Sequence, residues 1–172
     1  MKKFLLLAAV VMCLTFSGLA AFADDDLGVA MLRYEKYYQA DMKANKQLTD
    51  DQIFEYKSSP NNAGTYMPLA SHYYGLGKYT ESFPYYKKAA EAGSKQGALM
   101  LAISYVKGMG TNIHNGDGAK WMLAAADGGN PIAQYFMAHM YKEGVSVERS
   151  QTAVDKWFAA AAAKGVTDST LN

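Results

Sequence analysis

The chain has 172 residues, of which 50% are hydrophobic and 19% charged, enough for one core of ordinary size. Lys2 and Lys3 are two of the 17 basic side chains, so the remainder balances the 16 acidic ones, which argues against nucleic acid or a strongly anionic surface as the main ligand. Cys13, the only cysteine, sits in an N-terminal apolar run, so the rest of the chain can form no disulfide and has no thiol chemistry.

Residues 1–23 read as a bacterial export signal. Lys2 and Lys3 precede an apolar stretch from Phe4 to Leu14, and Ala21-Phe22-Ala23 offers the small residues a signal peptidase needs just before Asp24-Asp25-Asp26. Cleavage after Ala23 would leave a periplasmic or secreted protein with no membrane insertion. An uncleaved anchor is the alternative, since Phe4 to Ala23 is long enough to span a bilayer.

Residues 24–62 form a segment of their own. Met31, Tyr34, Tyr38 and Met42 fall at helical spacing between Leu27 and about Ala44. Leu48-Thr49-Asp50-Asp51 reads as a turn and cap before a second short helix to Tyr56, ended by Ser58-Ser59-Pro60-Asn61-Asn62. The expected role is an N-terminal helical cap over the first repeat, with a degenerate repeat as the alternative. Tyr34, Tyr37 and Tyr38 could instead face a partner.

From residue 63 onward a pattern recurs, in units at 63–95, 96–131 and 132–168. Leu101, Ala102, Tyr105, Gly108, Trp121, Ala125, Ala126 and Gly129 recur 36 positions later as Met137, Ala138, Tyr141, Gly144, Trp157, Ala161, Ala162 and Gly165. An earlier copy keeps Leu69, Ala70, Tyr73, Tyr85, Ala89, Ala90 and Gly93, with a turn between its helices four residues shorter. A period of this length signals a solenoid, in which each helical pair buries its apolar face only by stacking on a neighbour. Ala98, Leu101, Ala102 and Tyr105 share one helix face, and Trp121, Ala125 and Ala126 share another, so these aromatics read as core packing.

The residues Gly97-x-x-x-Leu101-Ala102-x-x-Tyr105-x-x-Gly108-x-Gly110, followed by Lys120-Trp121-x-x-x-Ala125-Ala126-x-x-Gly129, resemble the Sel-one-like repeat, a relative of the tetratricopeptide repeat. The first copy, Leu69-Ala70-x-x-Tyr73-x-x-Leu76-Gly77-Lys78-Tyr79, is closer to a plain tetratricopeptide repeat. The resemblance covers about 65–168. It implies an all-α fold, an α/α superhelical solenoid of antiparallel helix pairs, which acts as an adaptor or scaffold for other proteins. A cysteine-rich subgroup of exported relatives, linked to penicillin binding or hydrolysis, is not matched here.

Catalytic motifs are few. His72, His114 and His139 fall in three different copies, without metal-ligand spacing. Ser104-x-x-Lys107 matches a motif of penicillin-recognising enzymes but lacks its companions. Gly75-x-Gly77-Lys78 and Gly108-x-Gly110 read as inter-helix turns rather than phosphate loops. Asn115-Gly116-Asp117-Gly118 has the flavour of a calcium loop without the downstream Glu.

The resemblance to tetratricopeptide arrays puts the first helix of each pair on the concave side. That places Met67, Ser71, Tyr74, Leu99, Ile103, Val106, Tyr135, His139 and Lys142 in a partner-binding groove, an apolar set suited to another chain. The competing expectation is that Leu99, Ile103 and Val106 are covered by a neighbouring helix or by the N-terminal pair. The sequence therefore predicts an exported, non-enzymatic scaffold that binds a protein or peptide and needs no cofactor. A cell-envelope hydrolase or a purely structural envelope subunit are the alternatives.

Overall fold

A computed structural model describes residues 26–45, 47–59 and 63–167. The proposed signal, residues 1–23, lies outside them. The described residues form eight helices and no strand: α1 (Asp26–Asn45), α2 (Asp50–Ser58), α3 (Ala63–Gly75), α4 (Tyr79–Glu91), α5 (Lys95–Lys107), α6 (Asn115–Asp127), α7 (Pro131–Glu143) and α8 (Gln151–Ala162).

Local chemistry sets the ends of these helices. Thr49 caps α2 in a reciprocal box with Gln52, while Ser94 and Ser150 each accept the backbone N–H three residues on. Asn130 caps α7, whose first residue is Pro131, where the missing N–H costs nothing. Gly108 and Gly144 end α5 and α7 in the left-handed conformation, which glycine adopts without strain. The loops after these two glycines close alike: His114 N–H donates to the Tyr105 carbonyl and Ser150 N–H to that of Tyr141, again 36 residues apart. Asn115 to Gly118, the stretch with a calcium-loop flavour, is the first turn of α6.

The pairs α3·α4, α5·α6 and α7·α8 stack in order, each second helix also touching the next first helix. Burial in the first helices is continuous. Gly97 to Ser104 in α5 and Ala133 to Met140 in α7 are each eight successive buried residues, more than two full turns. A helix buried all round has neighbours on every side.

The aromatic anchors are not equivalent. Trp157 is buried at 6% exposure, whereas Trp121, Tyr105 and Tyr141 are half-buried against the same core. Trp157→Ala should therefore cost about 3–5 kcal/mol. Trp121→Ala should cost roughly 1–2 kcal/mol, since part of its area already meets water. Urea unfolding of the two variants checks the ranking, and an equal or larger loss at Trp121 would contradict it.

The N-terminal pair divides in two. The short α2 buries no residue fully and leans mainly on α3. The longer α1 packs against α3 of the first repeat and also against α7 of the third.

Candidate functional site: the face of the first helices

The apolar stripe read from the sequence of α1 faces inward. Leu27, Ala30, Met31, Tyr34, Tyr38 and Met42 are all buried, and burial of each larger side chain contributes about 1.5–3 kcal/mol before entropy is counted. Tyr34 meets Phe136 of α7 edge-on at 6.0 Å between ring centres, and Tyr38 meets Tyr74 of α3 at 5.5 Å. Such edge contacts add about 0.5–1.5 kcal/mol beyond area.

Polar contacts fix the register of α1 on each repeat. On the first, the Tyr38 and Ser71 hydroxyls share a hydrogen bond of 3.3 Å, Tyr86 donates to Tyr38 at 3.4 Å, and Gln39 donates to Tyr79 at 2.8 Å. On the second, Gln96 donates to the Tyr34 hydroxyl at 2.8 Å, and Lys107 pairs with Glu35. On the third, the Leu27 N–H donates to Glu143 at 3.2 Å. Asn130, while capping α7, also donates to Gln96 at 3.1 Å, so one amide links α1, α5 and α7. Burial pushes the phenols of Tyr34, Tyr74 and Tyr86 well above their ordinary range, so they stay protonated and can donate.

The residues expected to line an open groove are therefore mostly covered. Leu99 and Ile103 have no exposed surface, Tyr74 is equally buried, and Tyr135, His139 and Ser71 are nearly so. Tyr135 lies 5.6 Å from Phe158 and 4.6 Å from His139, so its ring belongs to the packing between α7 and α8. Val106 is half-buried beside Leu27, Met31 and Met140. Only Met67 and Val106, each in part, and Lys142 reach the surface. The expectation of an exposed apolar patch gives way to its competitor for a physical reason. Turning about 200° away from the pair's own seam leads, in a helix with neighbours all round, onto another helix.

Five side chains that seat α1 carry no signal in the repeat pattern: Gln96, Lys107, Phe136, Met140 and Glu143. The first two share one face of α5 at i and i+11, and the last three share the matching face of α7 at i, i+4 and i+7. The displacement from the expected stripe is a single residue. Beside the C-terminal half of α1 an open cleft of about 420 Å³ remains, lined by Met42, Gln47, Gln52, Met67, Ser71 and Gln96 among others, none of them charged.

The catalytic motifs serve structure instead. Ser104 donates its hydroxyl to the Met100 carbonyl at 2.8 Å while Lys107 pairs with Glu35, so the two groups serve different partners. His72 accepts the Leu48 N–H at Nδ1, and burial, then Lys78 and Lys57, lowers its pKa and keeps that nitrogen free to accept. Among the described residues no three His, Cys, Asp or Glu side chains gather as a metal site. Nor is any described helix long and apolar enough to cross a membrane.

Known proteins share this architecture. A sel1-like repeat-containing protein of Acanthamoeba polyphaga mimivirus is 36% identical over 76 residues, which is 44% of this chain and 14% of that protein. The crystal structure of a Sel1 repeat protein from Oxalobacter formigenes matches 66% of this chain and 47% of its own at 28% identity, with a TM-score of 0.59. A protective antigen of uropathogenic Escherichia coli strains displaying an SLR fold matches 81% of this chain and 30% of its own, at 24% identity and a TM-score of 0.62. The chain thus spans less than half the length of each of these relatives, and no family model matches it. Three stacked helix pairs among the described residues, the 36-residue register and these relatives together give the chain the Sel1-like repeat fold of the tetratricopeptide-like superfamily.

Proposed function

We propose that this protein is an exported, non-enzymatic adaptor that binds a protein or peptide beside α1, at the part of the first-helix face that α1 leaves open. Sel1-like repeat folds commonly serve as scaffolds for protein interaction, which supports the class of function. The observation that carries the reading is the seating of α1. The same face already holds one amphipathic helix by ring contacts and hydrogen bonds spread over all three repeats, so its chemistry suits another chain. The uncharged cleft beside α1 extends that surface. The small-x-small site at Ala21-Phe22-Ala23 supports export.

A photo-crosslinking residue at Met67, on the cleft, and another at Leu123, exposed on the second-helix side, separate the possibilities in the exporting cell. Discrete protein adducts at Met67 but not at Leu123 are expected, on a protein whose intact mass begins at Asp24. Adducts at neither position would refute the adaptor reading. A mass that retains Met1 to Ala23 would refute cleavage.

A further inference from the structure

With α1 seated in the groove, its outer side becomes the surface offered there. That side is unusual in what it holds. Val29, Leu32 and Tyr37 are 38%, 60% and 72% exposed, and the cations Arg33, Lys36 and Lys43 are exposed among them, whereas neither acid of α1 with a described side chain is. Glu35 is turned inward onto Lys107, and Asp41 is half-buried. Lys142, at the end of α7, adds another exposed positive charge on the first-helix side. The stripe runs 29, 32–33, 36–37, 43, so these residues share one broad face of about four turns. In a chain of formal net charge +1, this is local segregation of charge rather than overall excess.

We propose that the outer face of α1 is a docking surface for an acidic, amphipathic helical segment of a partner protein. This deepens the adaptor reading and rests on it. Leu32 and Tyr37 supply the apolar anchors, and Tyr37 is a rigid ring with a polar tip, the kind of side chain that dominates protein interfaces. Around the helix Arg33, Lys36 and Lys43 lie between Leu32 and Tyr37, so they match carboxylates set between two apolar rows of the partner and set its register. A protein segment is favoured over an anionic membrane because stable lipid recognition uses clusters of about four to eight Lys and Arg, and the broad apolar face of α1 is already buried.

The test uses the mature protein and a fluorescein-labelled helical peptide of about five turns. The peptide carries Glu along one stripe flanked by Leu and Phe, and its control has Lys in place of every Glu. The acidic peptide should bind more tightly, less so as salt rises. Lys36→Glu with Lys43→Glu should weaken it by about tenfold and shift preference to the Lys peptide. Tyr37→Ala should weaken it by about tenfold without changing helicity. Equal binding of the two peptides, no binding, or indifference to these substitutions would overturn the proposal, as would sedimentation with phosphatidylglycerol vesicles in place of peptide binding. A photo-crosslinker at position 37 distinguishes its failure from that of the adaptor reading. Adducts at Met67 without adducts at 37 leave an adaptor that does not use this face, whereas adducts at neither position remove the adaptor itself.

Discussion

Ile103→Ser combined with Tyr135→Ala should leave the protein unfolded at 25 °C. Ile103 has no exposed surface and Tyr135 is 4% exposed. Truncating a buried Ile costs about 2–5 kcal/mol, the serine hydroxyl must be desolvated as well, and losing a buried aromatic costs about 3–5 kcal/mol. Summed, the losses reach roughly 5–10 kcal/mol, against a total stability of about 5–15 kcal/mol for a typical domain. Far-ultraviolet circular dichroism should show the helical signal lost. Ile103→Val, which removes one methylene group, should cost only about 0.5–1.5 kcal/mol and keep it. A double variant that keeps its helices and its melting point would return both side chains to an open groove.

The second large effect comes from a glycine. Gly110, in the loop between α5 and α6, has φ +73°, and a Cβ there would overlap the Tyr79 carbonyl, 2.6 Å from its carbon and 2.9 Å from the Thr80 nitrogen. The positive φ alone is not decisive. Ser146 stands at the equivalent place one repeat later with φ +57°, so an L residue fits that conformation for about 1–2 kcal/mol. The opposing atoms at Gly110 are backbone at the start of α4 and have no rotamer to change. Gly110→Ala should therefore cost about 3 kcal/mol or more. Gly116→Ala, in the first turn of α6 with nothing near its Cβ, should instead stabilise by about 0.5–1 kcal/mol. Urea midpoints of the two alanine variants moving in the same direction would show that the contact with Tyr79 does not control the loop.

Repeat period, helix pairing and the stripe of α1 were legible in the sequence because each rests on spacing within one element. Met31, Tyr34, Tyr38 and Met42 sit at i, i+3, i+7 and i+11, and all four are buried. Thr49 was legible as a cap for the same reason, since its partner Gln52 is three residues away. The site was harder. Choosing an open side for α5 assumed that it has one, yet in Gly97 to Val106 only the side chains of Ser104 and Tyr105 carry a polar atom and none is charged. That composition is the signal of a helix enclosed on all sides, and the sequence carries it openly. What no local spacing could disclose is that Tyr34 meets Phe136 or that Leu27 reaches Glu143, contacts spanning more than a hundred residues. Half-burial of Trp121 against full burial of Trp157 was hidden likewise, because identical motifs meet different neighbours.

The contact of α1 with both ends of the array changes how the molecule should respond to stress. A plain solenoid behaves as a one-dimensional stack: each repeat knows only the next, and a terminal unit can peel away at the cost of one interface. Here the hydrogen bond from Leu27 to Glu143 and the Tyr34–Phe136 contact tie the last repeat to a helix that is also locked onto the first through Tyr38 and Ser71. The stack is closed by a clasp. Fraying of α7 and α8 must break that clasp as well as the interface with α6, so this pair is reinforced by a helix more than a hundred residues away in sequence. A spring that would otherwise stretch repeat by repeat becomes a single cooperative body, with its stiffness set by the one helix that is not part of the repeat.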